Sequence, residues 1–542
     1  MRPRHTSLTL ATIGLIAAHL HTHAQTPAHI RILTDQQVYI SGDDAWVDGR
    51  MDKTSPNCRY TRLRLLDRNG RTRTEALLPI EKTSFTGYLP IPEELPTDTY
   101  FLDAATTACP SACQIAPILV VNPRIPPNTN CPNPKPDKPN TPQRQPTPQI
   151  NIRPDKDSFK PNTPVTLSWT VTHEQPIHDV LCRATRKDAL SDRMENLSTA
   201  FHLTLTHQNT DPRDDLGHLV RVRITRNGRP IAQLPAMAAL QGRQANISTA
   251  RSDSLGILTF LIPRSNDPSR LVIIPETETP ANIQLDWIEP EQTTPIPFPC
   301  FPWDTSLQPD LEDRILNSRL ERRYHPEGVR SVAMDQTDTS DFYGKPDHRY
   351  LLDDYTRFPV MEEVFTEIIP QLRLRKDNGK PILQILNSPF KAFFPTQALI
   401  LLDGIPIRDA QTILDIDPLQ IRSIDVVART FTLALTAFPG IIHLKSYRSD
   451  MAGTPLPQTS INKPFPGIQR PSTYPDPEQK RPSLRNLLWK EHLPAPSGLT
   501  TMTMRFMTTD AVGTYRISIS GTDAQGKPIQ GETSIFVGQG TQ

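Results

Sequence analysis

Proline sets the strongest limit on what this chain can fold into. It has 57 prolines and 23 glycines in 542 residues, where ordinary usage of about 5% and 7% would give roughly 27 and 38. Proline costs about 3 kcal/mol inside a helix, because it removes a hydrogen bond and clashes with the preceding turn. With only 36% hydrophobic residues, a long helical bundle is disfavoured. Strands joined by stiff turns and linkers fit better. Ten of the prolines fall between Pro123 and Pro148. That segment, 123–148, reads as an extended polyproline spacer of up to ~80 Å, or else as a ligand for a proline-reading groove.

The charges balance, 59 basic against 58 acidic residues, so no one-signed field draws the chain to nucleic acid or to an acidic membrane surface. The N-terminus has the pattern of an export signal: Arg2 and Arg4, a short apolar stretch from Leu8 to Leu20, and Thr22-His23-Ala24 before Gln25. Removal of residues 1–24 is expected. The apolar stretch is short and broken by His19, His21 and His23, which argues against an anchor, and no later run reaches the ~20 apolar residues of a membrane span.

An exported chain can carry disulfides. Of the six cysteines, Cys58, Cys109, Cys113 and Cys131 lie close together, while Cys182 and Cys300 stand apart. The first four are the candidate disulfide residues, with three pairings open among them. Zinc is less consistent, since Cys109 and Cys113 have no second ligand pair at matching spacing.

Residues 29–51 alternate apolar and polar on both sides of Ser41-Gly42-Asp43, which predicts strand, turn, strand. Further strands are expected at 60–67, 85–91, 99–104 and 115–121, making a β-sandwich over 25–122. The residues Leu33-Thr34-Asp35, Tyr39, Ser41-Gly42-Asp43, Trp46-Val47, Gly87-Tyr88-Leu89 and Asp98-Thr99-Tyr100 resemble the MG2-type macroglobulin domain of large exported envelope proteins of Bacteroidetes-type bacteria. That resemblance implies that the aspartate and the Gly-Asp turn shape the sandwich edge and that the Tyr and Trp pack its core.

After the spacer, 149–216 is similar to a second macroglobulin-like repeat. Residues 217–300, with Asn227-Gly228-Arg229-Pro230, Asp253 and Gly256, resemble a carboxypeptidase-regulatory-type sandwich, a scaffold without peptidase activity. Leu311, Ile315, Leu316 and Leu320 share a helical face, so 301–340 reads as a helical connector.

Residues 341–449 alternate helical and strand patterns. A helix is expected after Phe358-Pro359, a hairpin around Asn378-Gly379, then strands at 398–402, 405–407, 424–427 and 441–445, with a short helix near 410–414. Three segments resemble the plug of TonB-dependent outer-membrane receptors. Asp403, Gly404 and Pro406 match its Asp-Gly-x-Pro turn; Ile421, Ile424, Asp425 and Val427 match its helix-to-strand step; Gly440 and Ile442 lead into its last strand. The resemblance gives these residues structural roles. The glycine-rich loop of receptor plugs is reduced here to Phe438-Pro439-Gly440, and the residues after 449 are too few for a barrel of many ~10-residue strands. A linker at 450–482 and a C-terminal Ig-like domain at 483–542 complete the expected order.

Catalytic patterns are missing from the sequence. Gly521 to Lys527 spaces like a phosphate loop, but Pro528 stands where Ser or Thr would reach magnesium. There is no H-E-x-x-H, no G-x-S-x-G and no Cys-Gly-Glu-Gln thioester. Glu362-Glu363 point apart on a helix and read as a solvated start, and Asp353-Asp354 as a cap or turn. The fold class expected is therefore mainly β: tandem Ig-like and macroglobulin-like sandwiches plus one small α/β plug-like domain. The expected function is non-enzymatic binding or scaffolding in the cell envelope, at the periplasm or outer membrane, without cofactor or metal. Its partner would be an envelope protein such as an outer-membrane receptor. The alternatives are an accessory to TonB-dependent uptake and a noncovalent protease inhibitor.

Overall fold

The computed structural model describes residues 27–53, 58–107, 109–125, 150–171, 177–199, 201–207, 216–241, 245–263, 269–277, 281–288, 294–324, 331–332, 341–388, 390–433, 436–465, 467–469, 472–473, 486–493, 501–522 and 528–538. The expected signal segment 1–24, nearly all of the spacer 123–148, Cys131 and the loop at Gly526-Lys527 lie outside the described residues.

Three β-sandwiches and one mixed α/β module carry the described chain. In the first sandwich the strands are β1 (Ala28–Thr34), β2 (Val38–Ile40), β3 (Asp44–Met51), β4 (Tyr60–Leu66), β5 (Thr72–Pro79), β6 (Ser84–Pro90), β7 (Asp98–Thr106), β8 (Ser111–Gln114) and β9 (Ala116–Val121). One sheet runs β8-β1-β3-β6 and the other β2-β9-β7-β4-β5. Alternation in β1 places Ile30 and Ile32 inside, where they meet Tyr39, Val47, Leu63, Leu65, Phe85 and Leu102. Gly49 is required by close approach: a Cβ there would sit 1.9 Å from the Phe85 ring. Prolines mark strand limits, as at Pro79, Pro90, Pro154, Pro164, Pro235 and Pro275, positions where a missing ladder donor costs least.

Asp35 organises the sandwich edge. Its Oδ1 accepts from the Tyr39 hydroxyl at 2.6 Å and from the Trp46 N–H at 3.1 Å, while Asp43 closes its turn on the Ile40 N–H at 3.0 Å. Tyr39 belongs to the core. Trp46 does not, because its neighbours Ala45 and Val47 point inward; it is buried on the opposite face against Tyr88.

The second sandwich departs from the expected domain order. Strands Ile150–Pro154 and Pro164–Val171 form a sheet with Thr501–Met507, and His178–Arg186 lies between Gly513–Thr522 and Asn486–Leu493. Val165, Leu167, Trp169, Cys182, Phe506, Tyr515, Ile517 and Ile535 fill one core. Segments 149–216 and 483–542, expected as two domains, are two halves of one sandwich. The reason is burial: neither half has enough strands to cover its apolar face, and each supplies what the other lacks.

The third sandwich pairs Pro235–Gln241 with Ser269–Pro275, which in turn pairs with Ile461–Phe465. Part of the expected linker 450–482 is thus its edge strand. Likewise Thr204–His207, assigned from sequence to 149–216, joins β8 of the first sandwich.

Helices α1 (Ala189–Thr199) and α2 (Gln308–Tyr324), with Phe298, Phe301 and Leu307, cover the outer face of the β2-β9-β7-β4-β5 sheet over Val38, Phe101 and Leu119. The helix expected at 309–323 forms, and of its expected apolar face Leu311 and Ile315 pack against this core. Leu316 is 54% exposed, and α2 docks through polar groups: Arg314 donates to Asp188 and to the Val38 carbonyl, and Ser318 to Asp43 at 2.7 Å.

Candidate functional site

The mixed module holds the sequence-derived motif residues. Its five strands run His348–Leu351, Ile421–Val427, Ile441–Ser446, Leu399–Leu402, Ile405–Ile407 across the sheet. A helical segment, 361–368, packs Met361, Val364, Phe365 and Ile368 against it. The same core includes Met237, Ala239, Ile247 and Val272 of the third sandwich, so the module has a fixed base.

Asp403 and Gly404 both have positive φ, 47° and 83°, the signature of a two-residue hairpin turn. The Asp403 carboxylate accepts from the Ser446 N–H at 2.7 Å, the Ser446 hydroxyl at 2.6 Å and the Met451 N–H at 2.8 Å, stapling the turn to the end of the neighbouring strand. Pro406 pairs with Leu401 in the short edge strand. Ile424 and Val427 are core residues. At Gly440 φ is +91° and a Cβ would lie 2.6 Å from the Val427 carbonyl oxygen, so only glycine fits.

Beside this turn lies a buried polar cluster. His443 Nε2 accepts the Gly404 N–H at 3.0 Å, which leaves the proton on Nδ1, donated to the Tyr343 oxygen at 2.7 Å. Tyr343 donates in turn to the Asp341 carboxylate at 2.8 Å, with Asp425 at 3.1 Å. Arg349 grips Asp425 with two bonds, 2.6 and 2.8 Å. Lys445 reaches Asp341 at 2.6 Å and Asp425 at 3.1 Å. Burial alone would raise both carboxyl pKa values, but Lys445 for Asp341, and Arg349 with Lys445 for Asp425, outweigh it and hold both below the usual carboxylate range. Burial lowers His443 to about 4, against the weaker pull of the aspartates, so the imidazole is neutral.

Asp341, Asp425 and His443 place ligand atoms within 4.8 Å of one another, a metal-like grouping. The donor set does not fit an ion. Both imidazole nitrogens are engaged, and the two carboxylates are already matched by two cations. It is a closed structural network, tied to the third sandwich where Asp341 accepts the Ala245 N–H at 3.1 Å.

The first sandwich contains a second buried network. Asp103 accepts from Arg64 at 2.6 Å and lies 3.0 Å from His207 Nε2, pinning the Thr204–His207 strand. Cys113, 0% exposed, is beside it. Of the four candidate disulfide residues, Cys58 and Cys109 are bonded to each other, whereas Cys113 is a free thiol. It points into the sandwich interior, its Sγ accepting the Ala104 N–H. Burial, then the charge of Asp103, pushes this thiol well above its ordinary pKa, so the Cys, His and Asp grouping is no nucleophile. Cys182 is buried and outside any disulfide, and Cys300 is disulfide-bonded.

Exposed apolar side chains collect on the mixed module. Leu351, Tyr355, Val360, Leu419 and Tyr447 are all exposed, Leu419 at 61%. Arg357 fixes the patch by donating to the Pro418 carbonyl at 3.2 Å, the Ile421 carbonyl at 3.0 Å and the Tyr447 hydroxyl at 2.5 Å. Tyr447 donates to Asp353 at 2.6 Å. Strand His348–Leu351 pairs only with Ile421–Val427 among the described residues, leaving its outer edge open.

The solved structures that this chain matches include bacterial alpha-2-macroglobulins. One, the Salmonella protein reacted with methylamine, is 9% identical, with 94% of this chain and 39% of that chain covered and a TM-score of 0.23. Another, the trypsin-activated Escherichia coli protein, is 9% identical, with 94% and 41% covered and a TM-score of 0.22. The chain therefore spans about two-fifths of the length of these proteins. No protein-family model and no curated protein matches it.

The structure brings Gly404 and Asp425 to one network and leaves Ile424, Val427, Pro406 and Gly440 in packing or turn roles. Tyr343, His443, Lys445 and Arg349 were missed from the sequence. A signal was present for part of the network: His443 and Asp425 stand directly between apolar neighbours, in Ile442-His443-Leu444 and Ile424-Asp425-Val426, and a polar residue on a buried face needs a partner.

Proposed function

We propose that this chain is a non-enzymatic binding or scaffold protein of the cell envelope, and that its mixed module contacts a protein partner. One observation carries the reading: the module exposes the apolar and aromatic side chains Leu351, Tyr355, Val360, Leu419 and Tyr447 together with a strand, His348–Leu351, that has one edge unpaired among the described residues. Unpaired backbone donors and acceptors fit an extended polypeptide that adds to the sheet, while the exposed apolar side chains meet apolar side chains of that polypeptide. The module's rigid base and the closed polar networks favour presentation of this surface over chemistry at it. Export rests on the basic and apolar N-terminal pattern, and no described helix is long and apolar enough to cross a membrane. The resemblance to receptor plugs makes a TonB-dependent receptor the first partner to test, and recovery of one would favour the uptake-accessory form of this proposal.

The test uses a photocrosslinking amino acid at position 419 and, as control, at position 255, where Leu255 is also exposed on the third sandwich. Envelope fractions should yield a discrete crosslinked partner from 419 only, and Tyr355→Asp should abolish it. Equal labelling from both positions would overturn the reading. Loss of protease activity on adding the pure protein, unaffected by Tyr355→Asp, would favour the inhibitor alternative instead.

A further inference from the structure

A cavity of ≈ 90 Å³ lies where the first and second sandwiches meet helices α1 and α2. By the measure in which one water needs roughly 10–15 Å³, it has room for several waters or a small ion. Its walls include the 35–43 segment, the end of strand His178–Arg186, and residues of both helices.

Most charges there are already matched. Arg314 pairs with Asp188 at 2.5 Å, Arg516 with Glu195 and Asp192, and Arg186 with Asp313. Asp35 and Asp43 accept hydrogen bonds from the Tyr39 and Ser318 hydroxyls. Arg183 is different. Its Nε donates to the Ser518 hydroxyl at 2.8 Å and its Nη1 to the Thr34 carbonyl at 2.8 Å, both neutral acceptors. Among the described residues no carboxylate forms an ion pair with it, and Nη2 makes no hydrogen bond. Lys187, on the same wall, likewise has no ion pair among the described residues.

We propose that this cavity binds a small oxyanion, a carboxylate or a phosphate, held by the Arg183 guanidinium with Lys187 beside it. A partly buried guanidinium whose hydrogen bonds all go to neutral acceptors gains from an anion at contact distance, which would supply both a direct counter-charge and acceptors for Nη2. Burial draws the Arg183 pKa down, with Glu532 the strongest opposing charge, in keeping with a cation that lacks a direct partner. Because the walls come from two sandwiches and both helices, occupancy would also fix their junction.

The experiment is thermal unfolding of the full chain in sodium phosphate and, separately, in sodium succinate, each against sodium chloride at matched ionic strength, with phosphorus NMR of the phosphate titration as a direct binding readout. A rise in Tm beyond the chloride control, saturating with concentration, is expected for the preferred anion, and comparing the two salts tells carboxylate from phosphate. Arg183→Gln should weaken binding by about tenfold or more, the usual loss of a charge-assisted bond; Lys187→Gln, which leaves the packed guanidinium in place, should weaken it less. Absence of any anion effect beyond chloride would overturn the proposal, as would undiminished binding in Arg183→Gln or, should that variant not fold, in Lys187→Gln.

Discussion

Substituting Ile517→Ala tests whether the halves of the second sandwich form one cooperative unit. Ile517 is 0% exposed and sits opposite Ala184 across the strand pair, in a core shared with Val165, Leu167 and Trp169 from the other half. Truncating a buried isoleucine to alanine costs about 2–5 kcal/mol, transfer plus residual cavity. Taking about 3 kcal/mol, the opening equilibrium shifts by roughly a hundredfold. Amide hydrogen exchange followed by mass spectrometry reads this locally. Protection should fall by about that factor both in Gly513–Thr522, which carries the substitution, and in Pro164–Val171, which precedes it by roughly 350 residues yet shares its core. Strands of the first sandwich should keep their protection. Unchanged exchange in Pro164–Val171 beside faster exchange in Gly513–Thr522 would refute a single sandwich and restore two separate domains.

Acid should weaken the mixed module in two stages. The neutral, buried His443 has a folded pKa of about 4 against an unfolded value near ~6.5, so the unfolded state binds more protons between these values and stability rises with pH there, by about 3 kcal/mol across the window; urea titrations from pH 7 to 4 should show this, and His443→Gln should flatten it. Asp341 and Asp425, held low by Lys445 and Arg349, contribute stability above the unfolded carboxylate value of about 4 that is lost as pH falls through their folded values. Asp425→Asn, which takes a partner from the half-exposed Arg349 and leaves Lys445 with Asp341, should cost about 1–3 kcal/mol in the same assay, solvent screening the freed guanidinium. Gly440→Ala, forced to φ of +91° with its Cβ against the Val427 carbonyl, should lose about 1–3 kcal/mol; an unchanged denaturation midpoint would contradict the turn assignment. Reducing the Cys58–Cys109 bond, which closes a loop with sequence separation 51, should cost about 4 kcal/mol, while Cys113 should stay unreactive to a thiol reagent until the sandwich unfolds.

Much of this protein could be read locally. Turn chemistry at Asn227-Gly228, Asn378-Gly379 and Asp403-Gly404 placed three hairpins, because only residues tolerant of positive φ fit such turns. Alternation placed β1, β3 and Pro164–Val171, and along β1 and Pro164–Val171 it separated the core face from the outer one. The Tyr39-to-Asp35 and Ile40-to-Asp43 contacts followed from a short segment, since each joins groups within a few residues of one another. The mainly β class, with one mixed module, was set by the same local signals together with the excess of proline.

Tertiary structure alone decided which strands became partners. Period and turn chemistry say that a strand needs a covered face; they do not name what covers it. Closing a long loop costs only a term logarithmic in its length, about 0.6 kcal/mol per doubling. Ile150–Arg186 could therefore wait for Asn486–Val537, and Ser269–Pro275 for Ile461–Phe465, with little penalty for the chain threaded between them. The same holds for Arg349, Asp425, His443 and Lys445, which sit on three strands that only sheet formation brings side by side. Sequence dictated the pieces because their forces act over a few residues. The completed sandwich, the closed polar network and the cavity around Arg183 depend on burial shared between distant segments, and that exists only once the chain has folded.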